Sequence, residues 1–125
     1  MANPFVHVEL HTGDLAKARE FYSGLFDWDL QDLPMPGGTY TMINVGEGTG
    51  GGMMSRPDAP PQWLAYIGVD DAVATTEKAR SMRATVVQGV MEVGDYGGMS
   101  VMTDSTGAAF ALWQAKTPGE RGGGD

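Results

Sequence analysis

The chain has 125 residues, of which 42% are hydrophobic, and this length predicts one compact domain with a substantial core. It carries 16 Asp and Glu against 8 Lys and Arg, a formal charge of -8, which argues against nucleic acid because binding phosphates requires Lys and Arg. There is no cysteine, and no apolar run approaches the ~20 residues that span a bilayer, so we expect a cytoplasmic protein with no membrane partner.

The first predicted elements are a strand and a helix. Residues 5–10 read F-V-H-V-E-L, and this alternation of apolar and polar residues is typical of a half-buried strand. Asp14 is suited to cap a following helix in which Leu15, Ala18 and Tyr22 share one face. Three short strands are then predicted, near residues 28–33, at residues 39–45, and in a Gly-rich stretch that ends at residues 53–54.

The same order of elements returns in the second half, where Asp71 follows Asp14 by 57 residues. A strand at residues 63–69 precedes the second helix, and strands are predicted after it at residues 85–88, 99–103 and 109–114. Two such copies are too short to be independent domains. We therefore predict an α+β fold of two βαβββ modules, about 4–56 and 62–115, within one domain of residues 1–115 that is followed by a flexible tail at residues 116–125.

Side-chain alternation separates the two faces of each strand. In the first strand, Val8 and Leu10 suit the face that packs on the helices, and the opposite face then carries His7, Glu9 and His11. By the same rule, Tyr40, Met42 and Asn44 lie away from the helices. We expect a curved mixed sheet that forms a cup around a ligand, with the helices on the outer face. A solvent-exposed face or a dimer contact is the alternative.

One cluster has residue types that can bind a metal or act as acid and base, and it consists of His7, Glu9 and His11. Residues two apart on a strand have Cα atoms roughly 6.5–7 Å apart, so two such side chains can reach one metal ion. Imidazole and carboxylate suit Zn, Fe, Ni or Mn, and a Glu beside a His also forms an acid–base pair. His7 and Glu9 are therefore the candidate catalytic residues, against the simpler interpretation of a hydrogen-bonded or solvated face. The Gly-rich residues 46–52 lack the Lys and Ser/Thr of a phosphate-binding loop and predict a turn.

Two segments resemble a known family. Residues 6–28 contain V-H-V-E-L, D-L-x-K-A, F-Y and L-F-x-W, and they resemble the opening module of the vicinal oxygen chelate superfamily. This superfamily includes lactoylglutathione lyase, extradiol dioxygenases and the fosfomycin- and bleomycin-resistance proteins. Residues 104–114, D-S-T-G-A-A-F-A-L-W-Q, resemble the end of its glyoxalase-like subgroup. The resemblance covers about residues 5–115 and implies paired βαβββ modules whose sheets form a cup.

The resemblance also implies four ligand positions in metal-dependent members, near the first and last strand of each module. His7 matches one of them. Leu64, Ala111 and a position within residues 52–54 stand where the other three are expected. The resemblance therefore favours a member without a complete metal site, and we expect no cofactor. A divalent metal with His7 as a ligand is the alternative.

The leading hypothesis is a small-molecule-binding protein similar to glyoxalase and bleomycin-resistance proteins, acting as a homodimer. The acidic balance favours a cationic ligand, although charge alone does not select one. One alternative is a metal-dependent lyase, isomerase or dioxygenase with a displaced site at His7, Glu9 and His11, and another is a non-catalytic dimerisation module. The expected ligand-binding residues are His7, Glu9, His11, Tyr40, Met42, Asn44, Leu64, Tyr66, Ala111 and Trp113.

Overall fold

The computed structural model describes residues 2–35 and 38–116. In chain order the elements are β1 (Phe5–Thr12), α1 (Leu15–Leu25), β2 (Asp29–Met35), β3 (Gly38–Asn44), β4 (Gly51–Ser55), β5 (Gln62–Gly68), α2 (Ala72–Ser81), β6 (Thr85–Val93), β7 (Gly97–Thr103) and β8 (Ala109–Ala115). This is the order βαβββ twice, so the predicted α+β class with two such modules is confirmed. Of the predicted tail at residues 116–125, residues 117–125 lie outside the described residues. Neither described helix is long and apolar enough to cross a bilayer.

The described chain forms two compact units. The first unit consists of residues 6–65, and the second unit consists of residues 2–5 together with residues 66–116. The division falls within β5, three residues after the end of the Pro-rich segment at residues 56–62.

The first unit has a mixed sheet with the strand order β2-β3-β4-β1. β3 runs antiparallel to both β2 and β4, whereas β1 runs parallel to β4. The register places Gly52 opposite Glu9 on one side and opposite Met42 on the other. It also places Met54 opposite His11 and Tyr40. Two neighbouring rows of side chains therefore cross these three strands.

The core of the first unit lies between α1 and one face of this sheet. α1 begins as predicted, because the Asp14 carboxylate accepts the backbone N–H of Lys17 at 3.0 Å and so satisfies one free donor of the first turn. The predicted apolar face of α1 packs against three buried sheet residues. The residues in contact are Leu15, Ala18 and Tyr22 on the helix and Leu10, Ile43 and Met53 on the sheet. The predicted placement of Leu10 and Ile43 on the helix side is thereby confirmed, whereas Val8 is not part of this core.

An aromatic cluster extends this core to the surface of the first unit. The Tyr22 ring stacks on Trp28 at 5.7 Å between centroids and meets Trp63 edge-on at 5.6 Å. Phe21 on α1 and Phe26, the residue directly after α1, continue the cluster, and both are exposed. Large apolar side chains in one exposed group are a feature of surfaces that bind a partner.

The second unit repeats the architecture with the strand order β5-β8-β7-β6. β5 runs parallel to β8, and β7 runs antiparallel to both of its neighbours. Asp71 caps α2 as predicted by accepting the N–H of Ala74 at 3.0 Å, and the Gln114 side chain accepts the N–H of Ala72 at 2.7 Å. The core residues are Val69, Ala72, Met102 and Leu112.

The largest difference from the predicted strand boundaries is in β6. β6 continues to Val93 rather than ending near residue 88, and its pairing with β7 is irregular between Val86 and Met91. An irregular register interrupts the alternation by which a strand is identified in a sequence. The predicted turn at residues 46–52 is also too long, since Gly51 and Gly52 lie within β4.

Candidate functional site

The candidate site is built on the face of β1 that points away from the α1 core. Leu10 lies in that core, and its neighbours Glu9 and His11 are buried on the other face with only 7% and 6% of their surface exposed. A carboxylate is rarely buried without hydrogen-bond donors, because it loses its hydration on burial. The partners of Glu9 therefore define the site.

Four side chains form a continuous hydrogen-bonded chain, which we name the Glu9 network. The Tyr40 hydroxyl donates to Glu9 Oε2 at 2.7 Å, and His11 Nε2 lies 2.8 Å from Glu9 Oε1. His7 Nε2 lies 2.7 Å from the Tyr40 hydroxyl oxygen. Because the phenolic proton is directed to Glu9, the phenolic oxygen accepts the Nε2–H of His7. The His7 and Tyr40 rings are nearly parallel, with 19° between their planes.

Burial controls the protonation of His7. Desolvation lowers its pKa below the ordinary value of 6.5, and the negative charge of Glu9 opposes this effect without cancelling it. The imidazole is therefore neutral at neutral pH. A neutral imidazole, a phenol and a carboxylate in series can bind a polar group or hold a proton at a defined atom, which is the composition expected of a binding or acid–base site.

Tyr40 reaches Glu9 across an intervening strand. Tyr40 is on β3 and Glu9 is on β1, with β4 between them. At Gly52 on β4, an added Cβ would overlap the Tyr40 hydroxyl and ring. The missing side chain of Gly52 therefore leaves the space in which the Tyr40 ring lies.

The remaining predicted residues of β3 lie near a shallow cavity of the first unit. Met42 and Asn44 are exposed, and both line an open cavity of about 310 Å³ that also includes Gln31 and the bend after β3. The Asn44 side chain accepts the backbone N–H of Gly46 at 2.9 Å, so it shapes that bend. Asn44 consequently has a structural contact in addition to its predicted ligand-binding role.

The structure divides the other predicted residues between the units. Leu64 is buried in the first unit with 1% of its surface exposed. Tyr66 and Ala111 are neighbours on paired strands of the second unit, and both are buried. Trp113, half-buried in the same unit, lies opposite Gly68 and Met99.

The donor set does not fit the metal that the resemblance implies for metal-dependent members. Among residues 2–35 and 38–116, no group of three or more His, Cys, Asp and Glu side chains is arranged to hold a metal ion. Both Glu9 oxygens already accept hydrogen bonds from Tyr40 and His11. Leu64 and Ala111, at two of the implied ligand positions, have no side-chain donor atom. A catalytic zinc has three protein ligands, so we derive no chemical step through a metal.

Gly52 is the site residue whose importance the sequence analysis missed. In the sequence, Gly52 falls within the Gly-rich residues predicted as a turn and within residues 52–54, where one ligand position is implied. The available signal was its location in a stretch that ends as a strand, because a glycine within a strand indicates close approach of another group. The approaching group could not be identified from the sequence.

Comparison with known proteins supports the resemblance. The family described as the Glyoxalase/Bleomycin resistance protein/Dioxygenase superfamily matches residues 5–112. One relative is CFP32 of Mycobacterium tuberculosis (strain CDC 1551 / Oshkosh), which is 41% identical over 115 residues, covering 86% of this chain and 44% of that protein. Its name assigns it provisionally to the glyoxylases. The anthracycline biosynthesis protein DnrV of Streptomyces peucetius is 31% identical over 127 residues, covering 85% and 45%. The chain thus spans less than half the length of these relatives.

Solved structures show the same fold. A hypothetical protein of Bacillus halodurans, BH1468, superposes with a TM-score of 0.73 at 12% identity, covering 93% of this chain and 96% of that one. Methylmalonyl-CoA epimerase from Mycobacterium tuberculosis gives a TM-score of 0.68 at 18% identity, covering 89% and 87%. At these identities the similarity concerns the fold and not the reaction.

Proposed function

Because the chain belongs to the Glyoxalase/Bleomycin resistance protein/Dioxygenase superfamily, we propose that it binds a small organic molecule through the Glu9 network and without a complete metal site. The observation that carries the proposal is the bonding of Glu9, whose two carboxylate oxygens accept from Tyr40 and His11. A few fixed polar groups among apolar and aromatic side chains are typical of small-molecule sites. The same hydrogen bonds occupy the oxygens that a metal would need.

The proposed ligand is a planar aromatic molecule that carries a positive charge. The Tyr40 ring offers a surface for stacking, and Glu9 with the net charge of -8 favours a cation. DnrV is named for anthracycline biosynthesis, and an anthracycline combines a planar ring system with an amine. The name of CFP32 points instead to small dicarbonyl compounds, which form the second class to be tested.

Ligand-induced thermal stabilisation tests this proposal. Wild-type protein is heated with an anthracycline, bleomycin or a thiol adduct of methylglyoxal, and a ligand present at about 100 times its Kd stabilises by about 2.7 kcal/mol. We expect the anthracycline to raise the Tm, and Glu9→Gln to reduce that rise. Glu20→Gln is the matched control, because Glu20 is an exposed carboxylate on α1, outside the Glu9 network. If neither these compounds nor a broad chemical library raises the Tm, the dimerisation module becomes the better hypothesis.

Metal analysis tests the metal-free part of the proposal. Purified protein is incubated with Zn²⁺, Ni²⁺ and Mn²⁺, desalted and analysed for metal, with His7→Ala treated in parallel. We expect less than stoichiometric metal in both proteins. Stoichiometric metal that His7→Ala loses would instead support the lyase, isomerase or dioxygenase with a displaced site.

The proposal includes a homodimer in the cytoplasm. The curated relatives join a matching segment to a further stretch of at least equal length, and a second copy of this chain would supply a comparable amount of structure. The exposed Phe21 and Phe26 offer an apolar surface for it. Sedimentation equilibrium should give twice the chain mass of 13.2 kDa, whereas a monomer would refute the dimer. Cell fractionation tests the location.

A further inference from the structure

We propose that Gly52 is a positioning residue of the Glu9 network, whose missing side chain lets Tyr40 cross β4 and hold Glu9. The proposal rests on the proposed function only in that it treats the Glu9 network as the ligand-binding group. With glycine at position 52, the Tyr40 hydroxyl holds the Glu9 carboxylate by a hydrogen bond. With a larger residue there, Tyr40 is displaced and Glu9 loses this bond.

The strand order requires the Tyr40 side chain to pass over β4 to reach Glu9. Tyr40 and Glu9 lie on strands separated by β4, a distance of roughly twice the 4.8 Å spacing between neighbouring strands. Tyr40 pairs with Met54, whereas Glu9 pairs with Gly52. The ring must therefore leave its own row of side chains and pass over β4 in the row of Gly52.

Steric exclusion rather than backbone conformation explains the glycine. Gly52 is buried, and it is not among the described glycines with positive φ, so any residue could adopt its backbone conformation. An added Cβ would overlap the hydroxyl and two ring carbons of Tyr40. Its neighbour Gly51 differs, because there an added Cβ would overlap the backbone carbonyl of Val8. A side chain at position 52 is thus excluded by the Tyr40 ring, whereas a side chain at position 51 is excluded by backbone.

Displacing the ring would change the chemistry of the site. The Tyr40 hydroxyl lies 2.7 Å from both His7 Nε2 and Glu9 Oε2, and so occupies the point between an imidazole and a carboxylate. With the ring displaced, the Tyr40 bonds to both groups are lost and a water, a ligand atom or a cation can enter that point. Gly52 thereby maintains the tyrosine-organised form of the site.

A double-mutant cycle tests the proposal through stability. We expect Gly52→Ala to lower the ratio of folded to unfolded protein about thirtyfold in the wild-type background, because Tyr40 must move and its two hydrogen bonds are lost. In a Tyr40→Ala background the same change should cost less than about twofold, because the overlap is gone. Gly51→Ala is the matched control. Its loss of stability should be the same in both backgrounds, because the added Cβ overlaps the Val8 backbone and not Tyr40. Equal penalties for Gly52→Ala in both backgrounds would overturn the proposal.

An NMR measurement on the site separates positioning from general destabilisation. The chain contains two histidines, so its imidazole signals are readily assigned. We expect Gly52→Ala to shift the His7 signals in the direction that Tyr40→Phe shifts them, and to raise the His7 pKa towards 6.5 as the ring uncovers it. Gly51→Ala, where folded, should leave these signals near their wild-type values. Wild-type His7 signals in folded Gly52→Ala, with shifted signals in Tyr40→Phe, would overturn the proposal.

Variants that do not fold still give a result. If Gly52→Ala alone does not fold, a folded Gly52→Ala/Tyr40→Ala protein supports the proposal, and an unfolded double variant overturns it. No ligand enters these measurements. Failure of the ligand panel therefore overturns the proposed function alone, and failure of the cycle overturns the role of Gly52 alone.

Discussion

Replacing Tyr40 with Phe tests the Glu9 network most directly. The substitution removes one oxygen atom and keeps the ring that lies over Gly52. It removes the donor to Glu9 Oε2 and the acceptor of the His7 Nε2–H, both at 2.7 Å. Because Phe can keep the packing of the ring, we assign the expected effect to these two hydrogen bonds.

The expected loss follows from the charge and burial of the partners. A hydrogen bond to a charged group contributes about 1.5–3 kcal/mol, and a bond between neutral groups about 0.5–1.5 kcal/mol. Tyr40 and His7 are only half-buried, so water can take over part of both bonds. We therefore expect the free energy of unfolding to fall by about 2 kcal/mol, from the lower end of the combined range.

Urea unfolding at pH 7.5, followed by circular dichroism, measures this loss. Tyr96→Phe is the matched control, because Tyr96 is 71% exposed and the same change there should remain within about 0.5 kcal/mol of wild type. A loss below about 0.5 kcal/mol for Tyr40→Phe would refute the reasoning, since Glu9 would then not depend on the phenol.

Three further predictions concern protonation, capping and the core. Because the His7 pKa is lowered on folding, the unfolded chain binds the proton more readily, and wild-type stability should fall as the pH drops below about 6.5. His7→Gln should have a smaller pH slope in urea unfolding between pH 8 and pH 5; equal slopes would contradict this. Asp14→Ala should lose about 1 kcal/mol of stability and part of the helical circular dichroism signal, whereas a neutral effect would show that the cap is dispensable. Met53→Ala empties a position with 0% exposure and should lose about 2–5 kcal/mol in urea unfolding; a smaller loss would mean that the core closes around the gap.

Features that depend on residues close in the chain were predictable. Asp14 and Asp71 each accept a backbone N–H three residues ahead, so the cap and its target lie within one helical turn. Alternation within β1 was enough to place Glu9 and His11 on one face, where the structure joins them by a hydrogen bond. The order βαβββ, read twice, then determined the fold class.

Features that depend on strand order and register were not predictable. Tyr40 and Glu9 are 31 residues apart, and their contact requires β3, β4 and β1 to be neighbours in that order. Alternation placed both on the same kind of face, but it contains no information about which strand lies between them. On β4, Tyr40 is paired with Met54 and Glu9 is paired with Gly52, and the overlap at Gly52 depends on this offset between the two pairings. The irregular pairing of β6 escaped prediction for the same reason, since register belongs to pairs of strands.

The parallel pairing of β1 with β4 has a consequence for biosynthesis. β1 leaves the ribosome before the other strands of the first unit, yet within that unit it pairs with β4, a strand that ends at Ser55. Until that strand emerges, His7 and Glu9 remain in water and Tyr40 has no strand to cross. Such distant pairings close late, because the entropy of the intervening loop must be overcome first. The Glu9 network is therefore assembled in the last step of sheet formation in the first unit, and a nascent chain halted before residue 51 contains its four side chains without the site.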